Sequence, residues 1–204
     1  MRKNLLKNMI LALLLTAAVP TLTAQVHVGD ILCQGNLVYN PSIYPSSGAT
    51  AIGVVFYVDN TGQHGWAVAL QDEGEYAWAD YGSDTPLPNY TSTRQAIYDL
   101  DGYENTRIVR EHSTDHPAFY AVDFENGWYV PAIGQLNYLY GNLLEVNEGL
   151  VVVGGSAFLT MDYWSSTEYS IGNAWQLLPS GELYYGIWGP NKNDPRGVRG
   201  VRNF

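Results

Sequence analysis

Residues 131–143 read Pro-Ala-Ile-Gly-Gln-Leu-Asn-Tyr-Leu-Tyr-Gly-Asn-Leu, and this stretch decides the fold class. Ile133, Leu136, Leu139, Tyr140 and Leu143 recur at helical spacing, which gathers them on one face of a helix. Pro131 suits the first helical position, where a missing N–H costs nothing, and a glycine closes the run. On the N-terminal side the helical signals continue. Pro117 opens Ala118–Phe124, which Asn126-Gly127 ends, Asn105 is placed to N-cap Thr106–Glu111, and Thr93–Leu100 is a short amphipathic stretch.

Outside this helical middle, both flanks read as strands. Ala51–Val58 and Gly65–Leu70 are β-rich runs around Asp59-Asn60-Thr61-Gly62, a hairpin signal, and being nearly all apolar they predict a hairpin covered on both faces. Residues 80–92 are loop chemistry. After the helix, strands are predicted at Val151–Val153, Tyr163–Ser166, Asn173–Leu177, Gly181–Tyr185 and Gly197–Arg202. Strands, then helices, then strands define an α+β fold, with short antiparallel strands around two or more helices. There is no internal repeat and no dividing linker, so residues 25–204 are expected to form a single domain.

The first 24 residues have the form of a signal peptide: Arg2, Lys3 and Lys7, then the apolar run Met9–Val19, then cleavage after Ala24, with Ala18 as the alternative position. The apolar run is shorter than the roughly 20 residues that span a bilayer, and no second one follows, so no transmembrane segment is expected. The protein is therefore expected to be secreted or displayed at the cell surface. Without residues 1–24 the chain carries seven basic and 20 acidic residues, a formal charge of −13. Such a charge repels polyphosphate and argues against nucleic acid as a partner. With Cys33 alone, no internal disulfide can staple the fold, and Cys33, in an apparent strand, is expected to be a buried thiol.

Four phrases carry a family resemblance: Gly53-Val54-Val55-Phe56 with Gly65-Trp66-Ala67-Val68; Gly127–Pro131 with Gln135-Leu136 and Leu139-Tyr140; Tyr163–Glu168 with Asn173-Ala174-Trp175; and Asn191-Lys192 with Val198–Arg202. In this order the chain resembles the collagen-like adhesin C-terminal (Lcl) domain family, a branch of the C-type-lectin-like fold. The same C-terminal pattern is similar to the variable proteins of diversity-generating retroelements, in which a lectin-like fold presents a changeable binding surface. Residues 184–196 sit where that surface would lie. Most residue types there are reachable by randomising the adenines of an Asn codon; Trp188 and Lys192 are not. The sugar-binding calcium motifs of C-type lectins (Glu-Pro-Asn, Gln-Pro-Asp, Trp-Asn-Asp) do not occur in this sequence.

These residues define the candidate site. Tyr and Trp bury large area at low rotamer cost and Asn adapts its hydrogen bonds, a combination common at binding surfaces. Tyr184, Tyr185, Ile187 and Trp188 are the expected anchors, and Asn191, Asn193 and Asp194 the polar contacts. Lys192 and Arg196 are the expected charge partners, with Tyr169 and Ile171 joining from a neighbouring loop. Lys192, Arg196, Arg199 and Arg202 make this end of an acidic chain relatively basic.

Other chemistry is less favoured. His112 and His116 flank a Ser-Thr-Asp segment before Pro117, which keeps them off one helical face and argues against a metal pair. Asp99–Asn105 has the look of a calcium loop without the closing Glu of an EF-hand, and a turn with Asn105 as cap is the better reading. No Gly-x-Ser-x-Gly, phosphate loop or dinucleotide fingerprint is present, so no enzyme activity, cofactor or metal is expected. Formylglycine-generating enzymes share the broader fold but need a cysteine pair. The sequence thus points first to a ligand-binding, adhesin-like module with a glycan or protein ligand on another surface and possible self-association. An accessory or tip subunit of a surface fibre, docked through Val26–Leu37, comes second, and an exported polysaccharide hydrolase third.

Overall fold

The structure is a computed structural model and describes residues 25–44, 48–158, 161–184 and 191–204. The expected signal peptide, residues 1–24, lies outside these residues. The fold is α+β: among the described residues, two five-stranded sheets pack with a helical layer.

The first sheet is built on the expected hairpin, Ala51–Val58 (β3) against Gly65–Ala69 (β4), with Val54 opposite Val68. Asp59 shapes the turn by accepting from the Thr61 N–H at 3.0 Å and its hydroxyl at 2.6 Å, and Gly62 follows with φ of 70°. Ile31–Cys33 (β1) pairs with β3 on one side and with Val38–Tyr39 (β2) on the other. Cys33 is fully buried there. Since β1 is an interior strand, its backbone is already hydrogen-bonded on both sides, and the expected docking of a fibre partner along Val26–Leu37 has no free edge at β1.

The helices follow the periodicity with shifted ends. Thr93–Ala96 (α1) is a single turn, and Gly102–His112 (α2) starts three residues before the predicted cap, so Asn105 lies inside the helix. Pro117–Ala121 (α3) opens at proline as expected. Ile133–Gly141 (α4) begins two residues after Pro131, where the Gln135 side chain accepts from the Ala132 N–H at 3.0 Å. Ile133, Leu136 and Leu139 are buried, whereas Tyr140 lies at the surface. A methyl group on Gly134 would meet the carbonyls of Ile97 and Asp99 at 2.5 Å, so this approach to the preceding turn demands glycine. Leu143–Val152 (α5) overturns the predicted strand at Val151–Val153. Val151 and Val152 end a helix whose inner face carries Val146 and Leu150, with Val153 as its C-cap, and burial outweighs local β-propensity.

The second sheet joins Gly74–Ala77 (β5), which precedes the helices, to the C-terminal strands Tyr163–Ser170 (β6), Asn173–Leu177 (β7), Leu183–Tyr184 (β8) and Pro195–Val198 (β9), ordered β5-β9-β6-β7-β8. Its two faces bury different tryptophans. Trp175 joins Val54, Phe56, Ile133 and Leu136 in one core, and Trp164 joins Trp78, Phe119 and Val198 in the other. The predicted closing strand is in fact two. After β9 the chain turns at Arg199-Gly200 and enters the first sheet as Val201–Asn203 (β10), paired with β4. One tail thereby ties both sheets together.

Candidate ligand-binding surface

The β6–β7 turn at Ile171-Gly172, with Tyr169 at the end of β6, meets the Asn191–Asp194 turn at one end of the second sheet. Asn191 forms a bridge with Asn173, and the Lys192 N–H donates to the Gly172 carbonyl at 3.0 Å. On the opposite side the Lys192 carbonyl accepts from the Ala79 N–H at 3.1 Å. Within the turn, the Asp194 N–H donates to the Asn191 carbonyl at 2.9 Å and the Asp194 carboxylate accepts from the Asn191 N–H at 3.2 Å. The Asn191 and Asn193 side chains are exposed, and Ile171 is 55 % exposed beside them. Tyr169 is half-buried, its ring edge toward Trp175 at 6.1 Å.

Lys192 departs from expectation. Its side chain is fully buried and forms an ion pair with Glu168, which is equally buried. The ammonium also donates to the Ser83 carbonyl at 3.0 Å and lies 4.4 Å from the centre of the Trp78 ring. The second Glu168 oxygen accepts from the Thr85 hydroxyl at 2.5 Å. Burial pushes the Glu168 carboxyl up and the Lys192 ammonium down from their ordinary values, and the attraction between them opposes both shifts. Lys192 is therefore the anchor of the turn and not a charge offered to a ligand. The reason is a partner 24 positions away in sequence, on a strand that the turn happens to cross.

Arg196 is also engaged internally. Its Nε donates to Gln176 at 3.2 Å, and Asp162 and Asp194 lie within 3.5 and 3.7 Å of the guanidinium, leaving the side chain 27 % exposed. Further along, Arg199 is buried with Asp72 at 3.1 Å and the carbonyls of Ala69, Leu70 and Ser156 at 2.9 Å each. Arg202 stacks over Trp128 and donates to Asn36 at 3.1 Å. The basic end read from sequence is thus internal wiring, because each cation meets partners from distant segments.

Of the expected anchors, Tyr184 contributes backbone pairing to β8, opposite Gln176, and Tyr185, Ile187 and Trp188 lie outside the described residues. Two tyrosines were missed. Tyr76 is the direct cross-strand neighbour of Arg196 and is exposed, and Tyr81, 76 % exposed, follows two residues after Ala79, the hydrogen-bonding partner of Lys192. The usable signal was an aromatic next to the Gly82-Ser83-Asp84 loop, where a core role is hard to meet.

Beneath this surface, Asp99 is 4 % exposed and accepts from Thr167 Oγ1 at 2.7 Å, Asn105 Nδ2 at 3.0 Å and the Asp101 N–H at 3.2 Å. Asn105 also donates to Ser166 at 3.1 Å. The segment that looked like a calcium loop is a hydrogen-bonded hub joining α2 to β6. His112 ends α2 and is exposed, whereas His116 is buried before α3, so the two histidines face different surroundings. Among the described residues, no group of three or more His, Cys, Asp or Glu side chains is arranged to hold a metal ion.

No family model matches the chain, and no curated protein matches it. Among solved structures it is similar to a fimbrial protein from Bacteroides ovatus ATCC 8483, with a TM-score of 0.65 and 20 % identity. The likeness covers 88 % of this chain and 49 % of that one, so the chain spans about half the length of its neighbour. At this identity the likeness is one of fold. No described helix is long and apolar enough to cross a membrane.

Proposed function

We propose that this protein is a cell-surface ligand-binding module with a C-type-lectin-like fold, akin to the Lcl domains and retroelement variable proteins, and that it grips a glycan or protein through its C-terminal strand-loop surface. The observation that carries the reading is the Asn191–Asp194 turn. It is fixed at its base by buried Lys192 and holds Asn191 and Asn193 out beside Ile171. A rigid base under exposed amides and aromatics reduces the ordering cost of binding. Lys192, one of two positions in 184–196 that randomised Asn codons cannot reach, belongs to the frame. The test is binding of the exported chain to a glycan array and to intact cells. Replacing Tyr185, Trp188 and Asn193 together with alanine abolishes binding while the thermal midpoint holds. Retained binding places the site elsewhere.

A second reading has its own support. The fold is shared with half of a fimbrial protein, which favours an accessory or tip subunit of a surface fibre. The two readings are compatible, since a tip subunit can carry the adhesive surface. Co-purification of a stoichiometric fibre partner from cells, unaffected by the same triple variant, supports the fibre role separately from ligand binding.

A further inference from the structure

We propose that Lys192 and Glu168 condense into an amide, an intramolecular cross-link that welds the Asn191–Asp194 turn to β6. The proposal does not depend on the ligand-binding reading. It stands on the geometry of one dry compartment. Both side chains are fully buried, Lys192 Nζ touches Glu168 Oε1, and Thr85 Oγ1 donates to Oε2 at 2.5 Å. The Ser83 carbonyl accepts from Nζ at 3.0 Å, and the Trp78 ring walls the pair at 4.4 Å. The chain has one cysteine, so a cross-link within it cannot be a disulfide.

The reactive forms are the free amine and the carboxylic acid, since an ammonium has no lone pair and a carboxylate resists attack. Burial moves both groups toward those forms, lowering the lysine and raising the glutamate. A proton passing from Nζ to the carboxylate converts the ion pair into the neutral pair without any outside acid or base. The Nζ lone pair then forms a bond to Glu168 Cδ, and the Thr85 hydroxyl stabilises the charge that grows on Oε2. The C–Oε1 bond breaks, and the departing oxygen leaves as water with two protons, one already on the carboxyl and one from nitrogen. The remaining amide N–H keeps the Ser83 carbonyl as its acceptor. No oxidant, metal or co-reactant is needed. Holding the two groups together supplies an effective concentration on the order of 10⁵–10⁸ M. The product replaces two buried charges, which are costly in such surroundings, with one neutral group.

The test is the intact mass of the exported chain, purified under denaturing conditions after its N-terminus has been determined. The expected mass is that of the sequence less one water, and digestion yields a branched peptide joining Lys192 to Glu168. Full sequence mass overturns the proposal, and so does a missing water that maps to other residues. Lys192→Arg keeps a cation but cannot form this amide, so it is expected at full sequence mass; loss of water from that variant also overturns the proposal. Thr85→Val is expected to leave a mixture of both masses in freshly made protein.

Discussion

Neighbouring residues of β6 place two buried carboxylates in opposite predicaments. Thr167 helps satisfy Asp99, whose three donors are all neutral, while Glu168 is satisfied by the Lys192 cation and the Thr85 hydroxyl. Burial raises both carboxyls, and at Asp99 only hydrogen bonds from Thr167, Asp101 and Asn105 pull the other way. The Asp99 hub joins α2 to β6 from neutral parts that tolerate loss of one member. Before the proposed condensation, the Lys192 centre fixes a loop to the same strand with full charges, so loss of either member strands the other. The rigid frame and the presented turn are therefore held by different physics.

The largest effect expected from this difference is at Lys192. Lys192→Met leaves Glu168 buried without its cation, and breaking a buried pair by removing one member costs about 3–5 kcal/mol. The loss is read as a shift in the denaturant midpoint. The double variant Lys192→Met/Glu168→Leu removes the stranded charge and is expected to recover part of it. If the single variant unfolds no more easily than the native chain, the turn is not anchored here.

At the neutral hub, Thr167→Val removes one donor to Asp99 and the group that accepts from the Ile133 N–H at 2.9 Å. An unsatisfied buried group costs about 1–3 kcal/mol, so the midpoint moves less than for Lys192→Met. A larger effect at Thr167 would reverse the comparison.

Much of the frame was legible because it depends on local pattern. The β3–β4 hairpin, the α4 face and the buried Trp164 and Trp175 follow from period, turn chemistry and bulk. What failed depended on long-range contact. Val151–Val153 has strand-like composition, but Val146 and Leu150 belong to a helical face over β3 and extend the helix to Val152. Lys192 and Arg196 looked available because Glu168, Asp162 and Gln176 reach them only after β6, β7 and β9 assemble. The exposure of Asn191 and Asn193 was readable because turn amides sit at the surface without needing a distant partner.

Acidification is expected to separate the two centres by a smaller margin. His116 is fully buried, neither ring nitrogen meeting a partner at good hydrogen-bond geometry among the described residues, and it packs edge-on to Trp78 at 5.6 Å. Burial, followed by the nearby Lys192 charge and then His112, lowers its pKa below the ordinary 6.5, while Asp115 and the Ser113 backbone act against the shift. The folded chain thus takes up this proton less readily than the unfolded one. The stability contribution is fully present above pH 6.5 and is lost as the pH falls from there to the folded-state value. Asp99, and Glu168 wherever it remains a free carboxyl, contribute the opposite slope at lower pH, because their raised pKa values make the folded chain bind protons first. Thermal midpoints of the native chain and His116→Phe between pH 7.5 and 5.5 isolate the histidine: the native midpoint is expected to fall more steeply. Parallel curves would mean that His116 carries no such linkage.

The smallest stability effect is expected on the presented face, where the functional effect should be greatest. Asn193 is exposed on a turn whose order comes from Lys192 below it and from the Asp194–Asn191 backbone contacts. Asn193→Ala leaves each of those interactions in place, so the denaturant midpoint should correspond to a change within about 0.5 kcal/mol. On the proposed ligand-binding reading, cell or glycan binding should weaken in the same variant, since Asn193 is exposed. Asn193→Ala and Lys192→Met thus form a crossed pair, one losing binding at constant stability and the other losing stability first. If Asn193→Ala unfolds the turn as readily as Lys192→Met does, the amide is part of the frame, and the division between a charged anchor below and a free recognition face above does not hold.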